Sequence, residues 1–250
     1  MNNANSPAPA LSRGLDILDI ISKNGSIGFN DIVEKVNLNS SSVNRLLKVL
    51  LQYGYIAKNS GNKYEPGLKA YALAQKESSW RTLINQCNPI LRELNKSFGV
   101  TSILVGYGEK EMICLDKSAN VDNISLMDQG KTLRNYLSRP WGIIFLSELK
   151  EPELSKFIEY SIPFTKEKTI VPERSTIDSF LDFFKKNGYA DDMGIITKKT
   201  RRISVPVYNH NNKIMASISI GTFSDYLTDK LRLNVINYLK ESSKNILPAP

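Results

Sequence analysis

The residues with the clearest chemical potential in this chain lie between positions 40 and 52. One side of that stretch carries short polar, amide and cationic side chains with no acidic residue among them: Ser41, Ser42, Asn44, Arg45 and Lys48. Hydroxyl, amide and guanidinium groups bind base edges in the major groove of DNA, and ammonium groups bind phosphates. We therefore predict that these residues contact DNA, with Asn44 and Arg45 on bases and Ser41 and Ser42 near the backbone.

A helix is needed to present these side chains together. Apolar residues recur through the stretch at the spacing of one helical face: Val43, Leu46, Leu47 and Leu50. They predict a buried stripe opposite Arg45, and Ser40 is the predicted N-cap of the helix. A shorter amphipathic stripe at residues 29–36 precedes it, separated by Asn37-Leu38-Asn39. This arrangement predicts a helix-turn-helix; the alternative is a solvated helix in a small domain of another kind.

Further elements of a DNA-binding domain flank the helix-turn-helix. Upstream lies an apolar stripe with helical spacing: Leu11, Leu15, Leu18 and Ile21. It predicts a first helix that begins near Ser12 and packs on the core. Downstream, two strand-like segments on either side of a turn at residues 59–62 predict a wing. Lys58 and Lys63 border its tip, where we expect both to reach the phosphate backbone or the neighbouring minor groove.

The second half of the chain has a mixed pattern of strands and helices. Two predicted hairpins, at residues 101–116 and 201–221, indicate an antiparallel sheet with helices around it. The predicted fold class is therefore α+β. The predicted segments are a disordered start at 1–10, a DNA-binding domain at 11–67, a linker helix at 68–79 and a second domain at 80–250.

The second hairpin carries residues suited to bind an anion. A four-residue loop at 209–212 gives a register in which Ser204 lies opposite Ser217. The same register places Arg202 opposite Ser219. A guanidinium group flanked by serine hydroxyls can hold a carboxylate or phosphate through two parallel hydrogen bonds.

Residues elsewhere complete this predicted anion site. Gly142, near the start of a helix opened by Pro140, is expected to offer backbone N–H groups to the anion. Trp141 is expected to narrow the pocket or stack on the ligand. We predict a small anionic metabolite that is held mainly by Arg202. The alternative is that Arg202 pairs with Asp192 inside the domain.

Composition and charge restrict the class of protein. The chain has 250 residues, of which 41% are apolar, and a net charge of +8 that favours a polyanionic partner. No apolar run reaches the roughly 20 residues of a membrane span, and residues 1–10 lack a signal-peptide core. We therefore expect a cytoplasmic protein without a membrane partner. Cys87 and Cys114 lack the spacing of a zinc site and are predicted to be buried thiols, so we expect no metal or other cofactor.

Short motifs occur along the chain in an order typical of one family of regulators. In the first domain they are Ser12-Arg13-Gly14-Leu15-Asp16-Ile17-Leu18, Ser42-Val43-Asn44-Arg45-Leu46-Leu47, Gly54-Tyr55 and Tyr64-Glu65-Pro66-Gly67-Leu68. In the second they are Asp116-Lys117, Gly142, Gly188-Tyr189-Ala190-Asp191-Asp192 and Val205-Pro206-Val207-Tyr208. Through these motifs the chain, from Leu11 onward, resembles the IclR family of bacterial transcription regulators.

The resemblance implies a winged helix-turn-helix domain followed by a GAF-like α/β effector-binding domain with an antiparallel sheet. It also implies a homodimer, or a dimer of dimers, on a double-stranded DNA operator. The DNA affinity of such regulators changes when a small metabolite, often an organic acid, occupies the second domain.

Some pocket positions of the family can be located on this sequence. They fall on Trp141, Gly142, Asp192 and Ser219. This chain departs from the family pattern at Trp141, where a small residue is usual, and at Arg202, where Cys is usual. Gly221 stands at a place that can hold a second Ser. Together with the hairpin argument, the predicted effector site is Trp141, Gly142, Asp192, Arg202, Ser204, Ser217, Ser219 and Gly221.

Two other functions fit the same domain plan. One is an enzyme, but the single histidine, His210, falls in a predicted loop, and the sequence has no P-loop, dinucleotide motif, nucleophile elbow or metal-ligand cluster. Asp191 and Asp192 should point to opposite faces of a strand, which disfavours shared acid and base catalysis. We expect one of them to be solvated and the other to cap a turn or line the pocket. The other function is a second domain that dimerises and binds no ligand.

Overall fold

The computed structural model of the chain describes residues 6–75, 78–109, 111–120, 123–165, 171–197 and 199–246. The chain divides into two compact units, Met1–Arg81 and Thr82–Pro250. Of the start that was predicted to be disordered, residues 1–5 lie outside the described residues. Pro9 and Ala10 contradict the prediction because both belong to the first helix.

Helices and one hairpin build the N-terminal unit. The helices are α1 (Pro9–Asn24), α2 (Phe29–Val36) and α3 (Ser40–Gln52). The hairpin strands are β1 (Ile56–Lys58) and β2 (Tyr64–Pro66), which α4 (Leu68–Gln75) follows. One apolar core joins the three helices to both strands: Ile17, Ile21, Ile32, Val43, Leu47, Ile56 and Tyr64. The unit is the predicted winged helix-turn-helix.

The first helix packs on this core through part of the predicted stripe. Of that stripe, Ile21 is buried and Leu18 is partly buried against the core, whereas Leu11 and Leu15 are 64% and 54% exposed. Gly14 and Ile17, which the predicted stripe did not include, are buried as well. Apolar residues extend around more of α1 than one stripe, so periodicity alone did not show which of them meet the core. Leu11 and Leu15 remain uncovered within the N-terminal unit.

The start of α3 also differs from the prediction. Asn39, in an extended backbone conformation, is the N-cap, and its Oδ1 accepts a hydrogen bond from the Ser42 backbone N–H at 2.8 Å. Ser40, which was predicted to be the cap, is the first helical residue. Val43 and Leu47 are fully buried, as the stripe predicted.

A six-stranded antiparallel sheet forms the centre of the C-terminal unit, in the order β5-β4-β3-β8-β7-β6. Its strands are β3 (Thr101–Tyr107), β4 (Met112–Ser118), β5 (Thr132–Leu133), β6 (Ala190–Asp191), β7 (Thr200–Tyr208) and β8 (Ile214–Phe223). Its helices are α5 (Ser79–Phe98), α6 (Pro140–Leu146), α7 (Glu153–Thr165), α8 (Arg174–Asn187) and α9 (Asp229–Lys244). The predicted fold class, a helix-turn-helix domain followed by an α/β domain with an antiparallel sheet, is confirmed.

Helices cover both faces of this sheet. Helices α5 and α9 pack on one face, through Leu91 and Val235 against Ile203 and Ile218. Helices α6, α7 and α8 share the other apolar cluster with strands β3 and β4. The linker that was predicted as one helix over 68–79 is helical up to Gln75, and α5 begins at Ser79; residues 76–77 lie outside the described residues.

The hairpin of β7 and β8 has the predicted faces but not the predicted partners. Ser204 lies opposite Ser219, and Arg202 lies opposite Gly221. The predicted pairs, Ser204 with Ser217 and Arg202 with Ser219, were therefore wrong. The displacement begins at the loop, where Tyr208 lies opposite Ile214 instead of Lys213, and the register shifts again between Val207 and Tyr208.

The total displacement along β8 is two residues. Because successive side chains on a strand alternate between faces, an even shift leaves each residue on its own face. The polar residues of the hairpin therefore still share one side of the sheet.

Candidate nucleic-acid interface and effector site

The candidate DNA surface is the side of α3 that faces away from the core. Ser41, Asn44, Arg45 and Lys48 are exposed, and Ser42 is half-buried. Their positions repeat every three or four residues, so the helix brings them to one face. Since the Asn39 side chain satisfies one free N–H of the first turn, this end of α3 is stable without a protein partner over it.

The wing presents the other two predicted DNA contacts, and both Lys58 and Lys63 are exposed. Asn59 shapes the loop between them, because its Oδ1 accepts hydrogen bonds from the backbone N–H groups of Gly61 and Lys63 at 3.0 and 3.1 Å. The Asn59 Nδ2 donates to Ser26 Oγ at 3.0 Å, which ties the wing to the segment before α2. Lys58 Nζ lies 5.2 Å from the ring centroid of Tyr64.

The candidate effector site is the polar side of the β7 and β8 hairpin. Ser204 and Ser219 are fully buried, with their Oγ atoms 2.5 Å apart. Ser217 is also fully buried, and Arg202 is 4% exposed. The structure thus brings the predicted serines and arginine to one buried face, which is the face covered by α6.

Arg202 is bound within the domain. Its Nε donates to Asp192 Oδ2 at 2.5 Å, and its Nη2 donates to the Ser138 carbonyl oxygen and to Thr197 Oγ1 at 3.2 and 3.3 Å. The Asp192 Oδ1 accepts from the backbone N–H groups of Arg202 and Gly194. Of the two interpretations that the sequence left open, the structure has the internal ion pair.

The neighbouring Asp191 is bound as well. Its two carboxylate oxygens accept from the Arg201 guanidinium at 3.0 and 2.8 Å. Asp191 and Asp192 are each 3% exposed. The expectation that one of the pair is solvated was wrong, because each carboxylate is buried with its own arginine.

Trp141 and Gly142 lie on α6, packed tightly against the preceding segment. Trp141 is fully buried, and its carbonyl oxygen accepts from the Tyr107 hydroxyl at 2.6 Å. A Cβ at Gly142 would collide with the Tyr136 carbonyl oxygen, so this position requires glycine. The Gly142 N–H donates to the Arg139 carbonyl oxygen at 2.9 Å, which contradicts the prediction that it is free to bind an anion. A Cβ at Gly221 would meet the end of the Leu126 side chain, which would have to move aside.

One charged residue of this site was missed by sequence reasoning. The Arg139 Cζ lies 5.4 Å from the ring centroid of Trp141, and the Arg202 Cζ lies 6.0 Å from it. Burial, together with the positive charge of Arg202, lowers the pKa of Arg139 to about 10, although the Asp192 carboxylate acts in the opposite direction. The sequence signal for Arg139 was its position directly before Pro140, the first residue of the buried helix α6.

A small cavity adjoins Arg139, Asp191 and Asp192, with apolar side chains on its other sides. Its volume is about 10 Å³, the space of one water molecule. The arrangement places two guanidinium groups close to one indole ring, beside a cavity with room for one water molecule. The guanidinium groups supply hydrogen-bond donors and positive charge for an anion.

Models of two domain families match the chain. The one described as IclR helix-turn-helix domain matches residues 10–60, and the one described as Bacterial transcriptional regulator IclR C-terminal matches residues 76–247. The chain belongs to the IclR family. It is therefore a DNA-binding transcriptional regulator, as the sequence predicted.

Relatives of the IclR family are similar along most of their length. The HTH-type transcriptional regulator XynR of Escherichia coli K12 is 25% identical over 246 residues, which are 93% of this chain and 93% of XynR. The transcriptional repressor IclR of the same organism is 24% identical over 88% of this chain and 82% of its own. The crystal structure of an IclR homolog from Microbacterium hydrocarbonoxydans, complexed with 4-hydroxybenzoate, has a TM-score of 0.80 and 18% identity, and the match covers 95% of this chain and 97% of that chain. That likeness shows the shared fold.

The described part of this IclR-family chain includes no helix long and apolar enough to cross a membrane. In the same residues, no three His, Cys, Asp or Glu side chains cluster as metal ligands would. Cys87 and Cys114 are buried, free thiols, as predicted, and burial raises the pKa of each to about 12.

Proposed function

We propose that this regulator binds a two-fold symmetric operator as a homodimer, and that a small anionic metabolite in its C-terminal unit changes its affinity for that operator. The observation that carries the effector part is the buried polar face of the sheet. Ser204, Ser217 and Ser219 are fully buried there beside Arg202. Burying hydroxyl and guanidinium groups costs free energy that a domain needed only for dimerisation would avoid with apolar residues.

The chemistry of one relative supports the anionic class. The Microbacterium homolog was crystallised with 4-hydroxybenzoate, an organic acid. For this chain we propose an organic acid that contacts the polar face and Trp141. Gly142 shapes the site because a Cβ there would collide with the Tyr136 backbone, and Gly221 because a Cβ there would push the Leu126 side chain aside.

A second candidate function is a C-terminal unit that only dimerises. The observation in its favour is that Asp192 already occupies Arg202, so that the ion pair fills the place predicted for an anion. The two candidates differ in one measurable property, which is whether any carboxylate changes operator affinity.

The DNA part of the proposal rests on α3. Asn44 and Arg45 are assigned to base edges, Ser41 and Ser42 to positions near the backbone, and Lys48 to phosphates. Lys58 and Lys63 on the wing are assigned to phosphates as well. A two-fold symmetric dimer reads half-sites about one helical turn, or 10 base pairs, apart.

The dimer interface that we propose is the uncovered apolar side of the N-terminal unit. Helices α1, α3 and α4 line a groove of about 790 Å³ there. Large apolar side chains along it are half or more exposed: Leu11, Leu15, Val49 and Leu73. An apolar surface of this kind on a monomer marks a contact with another protein, and a second copy of the chain would bury it symmetrically.

We propose no catalytic role. The single histidine, His210, is exposed in the loop between β7 and β8. Asp191 and Asp192 are each held by an arginine, so neither carboxylate is free for acid or base work. The regulator is proposed to act in the cytoplasm because its partner there is DNA.

The test begins with selection of genomic DNA fragments by the full-length chain. We expect a pseudo-palindrome whose half-sites lie about 10 base pairs apart. Fluorescence anisotropy on that operator, with and without a panel of organic acids, then measures the effector response. A ligand that binds one state 10-fold more tightly shifts operator affinity by up to the same factor.

Two outcomes would contradict the proposal. Recovery of fragments without a shared symmetric sequence would contradict the proposed two-fold symmetric operator. An operator affinity that no organic acid changes would favour the C-terminal unit that only dimerises.

A further inference from the structure

Buried polar atoms around Trp141 have no hydrogen-bond partner within the part of the chain that the structure describes. They are the Trp141 Nε1 and the Nε of Arg139, whose guanidinium group lies over the Trp141 ring. Trp141 is a fully buried side chain. Buried polar groups are nearly always hydrogen-bonded, so two such exceptions at one ring point to a polar group that the chain itself does not supply.

We infer that Arg139 is the residue that binds the anionic group of the effector in this chain, while Arg202 is a fixed part of the domain. The inference rests on the proposed function, because it assumes an anionic effector in the C-terminal unit. It differs from the sequence-based prediction, in which Arg202 held the anion.

The two guanidinium groups are held very differently. Arg202 donates to Asp192, Ser138 and Thr197 and is nearly fully buried. Arg139 is half-buried, and its contact with the ring of Trp141, at 5.4 Å, is of the cation–π kind. Arg139 can therefore turn toward a ligand without breaking an ion pair, whereas Arg202 cannot.

The charge balance of the arginine and aspartate cluster also points to Arg139. Arg201 and Arg202 are neutralised by Asp191 and Asp192. Among the described residues, Arg139 forms no ion pair with a carboxylate, so the cluster keeps one positive charge. A single carboxylate on a ligand would neutralise it, and a charge-assisted hydrogen bond to a guanidinium is among the stronger polar contacts in proteins.

The surroundings of Arg139 limit the class of ligand. The adjoining cavity has room for one water molecule and is lined by Leu137, Ile143 and Phe180 as well as by the two aspartates, so a ligand must displace these apolar side chains to reach Arg139. A second anionic group on the ligand would lie near Asp191 or Asp192 and be repelled. The site therefore fits a monocarboxylate with an apolar body better than a phosphate ester, a dicarboxylate or a sugar.

Calorimetric titration of the full-length chain can test this assignment with two matched pairs of probes: acetate with acetamide, and benzoate with benzamide. We expect a carboxylate to bind and its amide not to bind. Arg139→Gln should raise the Kd of that carboxylate by about 10- to 100-fold, the range of one hydrogen bond to a charged group. Arg174→Gln is the control, since Arg174 lies on the surface of α8, where it pairs with Glu151 and Asp178.

A double variant separates the two arginines of the site. Arg202→Gln with Asp192→Asn removes the ion pair as a unit and leaves the net charge unchanged. We expect it to retain carboxylate binding. If the double variant loses binding while Arg139→Gln keeps it, Arg202 is the anion-binding residue and the inference is overturned, but the proposed function stands. If no carboxylate binds the unmodified chain, both the inference and the anionic effector are overturned.

The stability of the chain without ligand gives an independent measurement. Arg139→Met removes a desolvated cation that has no carboxylate partner, so the Tm should rise by about 2–4 °C. Residues that serve ligand binding often destabilise the fold, so a rise in Tm on replacement is the expected result. A fall in Tm would show that Arg139 stabilises the fold and would overturn the inference.

Discussion

Arg202 and Asp192 form an ion pair whose side chains are 5% and 2% exposed. Because both are buried, water cannot solvate either charge when its partner is removed, and the pair acts as one structural unit. Arg202→Ala would leave the Asp192 carboxylate buried without its cation. We expect this to cost about 3–5 kcal/mol of the free energy of unfolding, measured by urea titration. Replacing both partners with Ala should cost less than the sum of the two single changes, because neither charge is then stranded. Additive costs would show that the two side chains are not coupled.

Arg45 is the residue whose DNA contact can be classified most directly. It is exposed on the side of α3 opposite the buried stripe, and its fork of donors fits the edge of a guanine. Arg45→Ala should cost about 1–3 kcal/mol in binding to the selected operator and much less on random DNA. Equal losses on both DNAs, measured by anisotropy at one salt concentration, would make Arg45 a phosphate contact instead.

The three lysines of the candidate DNA surface should act through charge. Lys48 lies on α3, and Lys58 and Lys63 border the wing loop. Removing one phosphate contact lowers the slope of log affinity against log salt concentration by about 0.9. Each alanine variant should show this change on operator and on random DNA alike. A slope that none of the three variants alters would place these lysines away from DNA.

At the scale of elements, the sequence predicted which face each hairpin residue takes but not its partner. Alternation of polar and apolar residues sets the face, so Ser204 and Ser219 were correctly placed on one side. The partners depend on loop length and on a bulge, which alternation does not record. That is why Arg202 lies opposite Gly221.

Two loops of the chain share a sequence pattern that indicates their turn. The wing loop and the loop between β7 and β8 both have the pattern Asn-x-x-Asn-Lys, at residues 59–63 and 209–213. In each, the first Asn accepts two backbone N–H groups through its Oδ1. The second Asn, Asn62 or Asn212, has positive φ. The shared pattern forms the same turn twice, so it could have given both registers.

The start of α3 can be tested with two neighbouring substitutions. Asn39 caps the helix, whereas Ser40 lies inside it and is exposed. Asn39→Ala should reduce the free energy of unfolding by about 1 kcal/mol, the usual cost of losing an N-cap. Ser40→Ala is the matched control and should have little effect, since alanine is a good helix former. The reverse order of the two effects in thermal unfolding would restore Ser40 as the cap.

For the whole molecule, the apolar residues of α1 fall into a covered and an uncovered set. Ile17 and Ile21 contact the core of the N-terminal unit, whereas Leu11 and Leu15 are exposed. Periodicity predicted the helix and assigned Ile21 to the core correctly, but it also assigned Leu11 and Leu15 to the core, because exposed apolar residues look the same in sequence as buried ones. Only the packing of α2, α3 and the wing against Ile17 and Ile21 distinguishes the two sets.

The exposed stripe of α1 leads to a prediction for the assembled regulator. Leu11→Glu with Leu15→Glu places two charges in the groove between α1, α3 and α4 and leaves the buried Ile17 and Ile21 untouched. We expect the double variant to fold and to sediment as a monomer or as a weaker dimer than the unmodified chain. Its operator affinity should fall to that of one half-site, because a single winged helix contacts half of a symmetric operator. Leu233→Glu is the matched control, since Leu233 is 53% exposed on α9 and lies outside the N-terminal unit. If the α1 variant sediments like the control and binds the operator equally well, the dimer interface lies elsewhere.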